Sequence, residues 1–213
     1  AGLTLLTHER ASGLLNLTRP TRLGRSRVYG RKLMAGAALS TAGFALLYGV
    51  NALIAGLLYG FAGLDAPVQS LYGFAACPYR MTAGGLLALS AGLKYLWLLC
   101  CTALIFLLCA RAASAAAAVG GAAVCGGIAA LMAGSTQLWL RNLSLWQLAD
   151  GQALCREAVY LNLLGSPSDR VLLGAIFLLV LALAAGIGGA ALYAQTPGGS
   201  GKRVAFTLSL PCP

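Results

Sequence analysis

Few side chains in this 213-residue chain can do chemistry: one histidine, five carboxylates, seven cysteines and Lys94, which is set inside a long apolar run. His8 stands beside Glu9 and reads as a solvated surface residue. A lone histidine excludes, within this chain, a histidine-based catalytic pair or a His-rich metal site. None of the carboxylates falls inside an expected membrane span, so a proton relay through a bilayer has no carriers. The glycine pairs Gly120–Gly121 and Gly126–Gly127 lack the Lys-Ser/Thr that completes a phosphate-binding loop, so the chain is not expected to hydrolyse ATP. Cys100, Cys101, Cys109 and Cys125 fall in spans and read as small buried hydrophobes. Adjacent Cys100 and Cys101 face different directions on a helix, which makes a poor metal site. Cys77 and Cys155 both fall on the expected outer side and can pair in an oxidising compartment. Spacing alone does not bring them together. Lys94 has two readings: a substrate or lipid contact inside a helix bundle, or a lysine near the interface whose long stem snorkels to water. The second is the simpler.

The elements that position these residues follow from composition. Hydrophobic residues make up 59% of the chain and charged residues 9%, against roughly a quarter charged in a soluble domain. Such a chain cannot cover a core with polar surface. It is expected to be all-α, a polytopic transmembrane bundle of about four spans near residues 33–62, 86–110, 113–138 and 171–193. A transmembrane domain over 33–194 then lies between a basic segment, 1–32, and a flexible tail, 195–213. Ala35, Gly36, Ala37, Ala38 and Gly43 give the first span a small-residue face of the kind that lets helices approach in lipid. Residues 139–170 read as an outer loop of short surface-lying or partly re-entrant helices, broken at Gly165 and Pro167. Ser144 and Gln147 within it have capping-box spacing.

The stretch His8–Lys32 holds seven of the fifteen Lys and Arg residues. Residues 9–17 can form a short amphipathic helix at the membrane surface, with Leu14, Leu15 and Leu17 on one side. Pro20 disfavours helix at Arg19, which predicts a break near Thr18–Thr21, and Gly24 and Gly30 loosen the turns that follow. The loop charges set an orientation. Arg10 to Lys32, Arg111, Lys202 and Arg203 fall on one side, and Arg80, Arg141, Arg156 and Arg170 on the other. The bias places both termini in the cytoplasm of a multi-pass cell-membrane protein. Basic and aromatic residues do not interleave as they do on nucleic-acid surfaces, so no nucleic-acid partner is expected. Membrane lipid explains the charge instead.

The block E-R-A-S-G-L-L-N-L-T-R-P-T-R-L-G-R resembles the cytoplasmic segment of type-two ABC transporter permeases, the exporter-like membrane subunits. The matching residues are Glu9, Gly13, Leu15, Thr18, Gly24, Arg25 and Lys32. APVQSLYGF at Ala66–Phe74 and NLLGSP at Asn162–Pro167 are similar to loops of such permeases. The resemblance implies six spans, with the first span expected before Ala1, and a re-entrant outer segment before the last span. It implies that the basic helix docks on a separate ABC-type ATPase subunit through Glu9, Arg10 and Gly13. Gly24, Arg25 and Lys32 would form an elbow at the membrane interface. ATP and Mg would sit on that partner, with no cofactor on this chain, and a second permease subunit would complete a homo- or heterodimer. The function implied is coupling of ATP hydrolysis elsewhere to export of a solute or lipid, with no enzyme site of its own. The competing expectation is a polytopic scaffold or interaction protein that transports nothing.

Overall fold

The computed structural model describes residues 22–112, 115–150, 155–156, 160–163 and 166–195. The amphipathic helix expected at 9–17, with Glu9, Arg10 and Gly13, lies outside the described residues, as do the break at Pro20 and the tail beyond Gln195. Among the described residues, four helices are long and apolar enough to cross a bilayer. They are α1 (Arg22–Tyr59), α2 (Ala83–Arg111), α3 (Ala115–Ala133) and a last helix, α6 (Arg170–Gln195). A bilayer offers no water to the backbone, so long charge-poor runs close their hydrogen bonds internally as helix. The chain is an all-α bundle of the multi-pass membrane class.

The first span starts earlier than its charge pattern suggests. α1 runs unbroken from Arg22 through Gly24, Arg25, Gly30 and Lys32 to Tyr59, 38 residues in all, or roughly 57 Å at 1.5 Å per residue. The elbow expected at Gly24, Arg25 and Lys32 is therefore continuous helix. Each glycine in a helix costs only about 1 kcal/mol against alanine, less than leaving backbone groups unpaired near lipid. Gly60, with φ 71°, ends the helix, and its N–H bonds the Gly56 carbonyl at 3.0 Å.

α2 begins at a capped end, where the Thr82 hydroxyl accepts from the Gly85 N–H at 3.2 Å. It is the central helix, packing on α1, α3 and most extensively on α6. α3 stops at Ala133, short of the expected residue 138. There the Gly134 and Ser135 N–H groups turn back to Ala130 and Met132, and the Ser135 hydroxyl accepts from the Gln137 N–H at 3.1 Å. A serine hydroxyl competing for backbone partners favours a turn over further helix.

Two segments close the same end of the bundle. Residues 60–82 form a compact loop, tied by Val68 N–H to the Met81 carbonyl at 3.0 Å and Gly84 N–H to the Leu64 carbonyl at 2.8 Å. The second segment holds two short helices, α4 (Leu138–Asn142) and α5 (Leu145–Ala149), and then two paired strands. Its strands, β1 (Tyr160–Leu163) and β2 (Ser166–Asp169), pair antiparallel with Leu163 opposite Ser166. Where a helix is expected, residues 160–163 and 166–169 thus pair as a short ribbon. Pro167 has no N–H to give a helix but is tolerated in an edge strand.

Among the described residues, two buried clusters hold the helices together. One lies at the capped end and includes Val68, Cys77, Leu93, Leu148, Cys155 and Leu178. The other lies at the basic end, where Tyr29 packs edge-on to Phe106 with ring centroids 6.4 Å apart and tilted against Tyr193 at 5.7 Å. The end of α1 beyond Tyr48 stands clear of the bundle, with Leu57 78% exposed. In a membrane protein such a face meets lipid or another chain.

A candidate functional site beneath the cap

Trp97 organises the site. Its indole N–H donates to the Leu145 carbonyl at 2.8 Å. Trp97 lies roughly 20 Å along α2 from Ala83 at 1.5 Å per residue, so α5 reaches well down the side of that helix. α5 is held there from both ends. The fully buried Ser144 accepts from the Gln147 N–H at 3.2 Å and caps its start. Leu148, also fully buried, seats on Gly174 of α6, where an added Cβ would lie 2.6 Å from the leucine methyl. Only glycine admits that approach.

Trp97 separates two cavities. The first, about 410 Å³, lies between α1 and α2 and is lined by Ser40, Phe44, Tyr48, Lys94 and Trp97, with Ala149 of α5 at its edge. The second, about 200 Å³, lies between α2 and α3 and is apolar, with Cys101, Leu104, Cys125 and Trp146 in its wall. Lys94 and Trp97 share a face of α2 because they are three residues apart.

Two hydroxyl pairs fasten α1 to α2 beside the first cavity. Thr102 donates to the Leu98 carbonyl at 2.9 Å, so the Ser40 hydroxyl, 3.0 Å away, supplies the proton between them. Thr41 donates to the Ala37 carbonyl at 2.8 Å, which leaves Tyr95 donating to Thr41 at 2.9 Å. Phe44 stacks on Tyr48 with centroids 4.2 Å apart and leans on Tyr95 at 5.3 Å. Hydroxyls that satisfy one another leave little unmet polarity except at Lys94. Its ammonium, half-buried in a span, makes no hydrogen bond or ion pair among the described residues.

Cys77 and Cys155 are buried in the same cluster at the capped end, and both are free thiols. Burial pushes the Cys155 thiol up to about 11, with Cys77 and Asp169 adding to the rise and Arg170 opposing it. The adjacent Arg156 guanidinium lies 5.8 Å over the Phe74 ring. Tyr79 donates to the Asp169 carboxylate, which also accepts from the Val171 N–H at 3.2 Å and so caps α6. These contacts tie the 60–82 loop to the hairpin. Sequence reasoning overlooked Tyr79 and Asp169. An aspartate one residue before a long apolar helix was the available signal. Of the other anticipated residues, Gly24, Arg25 and Lys32 lie on α1, towards its basic end and before Ser40 in the cavity wall.

Comparison with known proteins returns no family model, no curated protein and no solved structure that matches the chain.

Proposed function

We propose that the chain is a permease subunit of an ABC-type exporter, working with a separate ATPase subunit and a second permease subunit. It would sit in the cell membrane with both termini in the cytoplasm and the cap outside. That orientation follows the excess of Lys and Arg at the basic end.

The observation that carries the reading is the continuity of α1 from the basic block to Tyr59. An unbroken helix passes a rigid-body displacement from its cytoplasmic start to the cleft it lines near Ser40 and Phe44. In this reading Glu9, Arg10 and Gly13 seat in a groove of the ATPase, and the partner's ATP and Mg supply the energy. In this reading the short helices that precede α6 and lean on Trp97 stand where the resemblance implies a re-entrant outer segment. The exposed end of α1 beyond Tyr48 leaves room for further spans or a second permease. The solute or lipid moved would pass beside these helices.

Affinity purification of the full chain tests the reading. An ATP-hydrolysing subunit is expected to co-purify, and Glu9→Lys to weaken that association about tenfold, a change of about 1.4 kcal/mol. Absence of any ATPase, together with an unchanged Glu9→Lys complex, overturns it. Association with other membrane proteins that survives removal of residues 1–32 supports a scaffold instead.

A further inference from the structure

We propose that the cavity between α1 and α2 binds one anionic phospholipid, with its headgroup on the Lys94 ammonium and an acyl chain against Phe44 and Trp97. The inference does not depend on an ATPase partner and stands or falls apart from the transport reading.

Three observations converge. The first is charge. Lys94 lies in a membrane-spanning helix and has no anion among the described residues, although Asp150 follows Ala149 at the cavity's edge. An ionisable side chain within a span normally pairs with an opposite charge or lines a polar path. The walls here are mostly apolar and aromatic, which suits a counter-charge carried by a molecule that is itself greasy.

The second is depth. α2 has 29 residues, or roughly 43 Å at 1.5 Å per residue, longer than a hydrocarbon core of about 30 Å. If Arg111 marks one boundary, the other falls about 20 residues earlier along the helix. That places Lys94 within about one turn of the headgroup layer, at a depth its stem can bridge. A phosphate there is in reach while the chain below it runs down the cleft.

The third is shape. The cavity of about 410 Å³ falls within the range of ligand pockets, roughly 300–1,000 Å³. Its rings are fixed in place: Trp97 by its bond to Leu145, and Phe44 by Tyr48 and Tyr95. A wall already ordered loses little freedom when a lipid chain lies against it. The hydroxyls of Ser40 and Thr41 are engaged with α2 and do not compete for the headgroup.

Native mass spectrometry of the detergent-purified chain tests this, using phosphatidylglycerol and phosphatidylcholine with identical acyl chains. The wild-type chain is expected to retain the anionic lipid about fivefold better, the advantage one lysine gives near a headgroup. Lys94→Gln is expected to lose that preference and Lys94→Arg to keep it. Because basic residues elsewhere also attract anionic lipid, a photoactivatable phosphatidylglycerol is crosslinked to the wild-type protein in parallel. Adducts are expected on peptides holding Phe44–Tyr48 or Lys94–Leu98. Equal retention of the two lipids, an unchanged preference in folded Lys94→Gln, or adducts confined to other peptides overturns the proposal. The crosslinking result decides the matter even if Lys94→Gln fails to fold.

Discussion

Tyr29 carries a buried hydroxyl that finds no partner among the described residues, and its ring rests directly on Gly189 of α6. An unpaired buried hydroxyl is a penalty, so Tyr29→Phe is expected to raise stability by about 1 kcal/mol. Gly189→Ala places a methyl group where that hydroxyl sits and is expected to cost about 1–3 kcal/mol. Combining the two should recover part of the loss, since the methyl then meets the ring edge without the oxygen. Thermal unfolding in detergent reads all three. At Cys155 the direction is fixed by burial. Its thiol shifts from 9.0 to about 11, so the neutral form is favoured in the fold. The stability this contributes is complete below pH 9 and is lost as the pH rises towards 11. Near neutral pH, maleimide should modify Cys155 only after unfolding, because the thiolate is the reactive form and is scarce. Rapid labelling of native protein would show that this cluster is open.

At the scale of the element, α1 is the sharpest departure from expectation. Charge marks a boundary at Leu33, yet the helix starts at Arg22 and passes through Gly24 and Gly30. Charge density reports where water ends, whereas helix needs only continuous backbone pairing and tolerable propensities. Gly30 allows a direct test. An added Cβ there meets nothing within 4 Å, so Gly30→Ala should stabilise by about 0.5–1 kcal/mol. A lower melting temperature for that variant would mean that the chain bends at Gly30. The cap shows the opposite case. The spacing of Ser144 and Gln147 announced a helix start, and the Ser144 hydroxyl does accept the Gln147 N–H. Periodicity alone offered no sign that residues 160–163 and 166–169 pair as strands, because segments this short have no distinctive period.

At the scale of the whole molecule, the fold is a bundle with one basic end and one capped end. Under the proposed orientation the cap faces outward, and Tyr72, fully exposed in the 60–82 loop, is a suitable reporter. Tyr72→Cys should be labelled from outside intact cells by a membrane-impermeant maleimide. Arg31→Cys, near the basic end of α1, should be labelled only after the membrane is opened. The reverse pattern would invert the topology. The amino-acid order by itself determined the class of the protein, the number of long spans and the asymmetry of charge between the two ends. These follow from run length and loop composition, because a bilayer imposes its demands along one dimension. It also singled out Lys94 as the charge drawn into a span, and Ser144 as a cap. Only the tertiary structure decided that Trp97 is pinned by a carbonyl 48 residues away, and that Tyr79 holds an aspartate 90 residues away. It also decided that Cys77 and Cys155 share one buried cluster as free thiols, and that Lys94 faces a cavity and makes no ion pair among the described residues. Such contacts depend on how separate helices pack, and in spans built almost wholly of Leu, Ala and Gly many pairings satisfy the same local pattern.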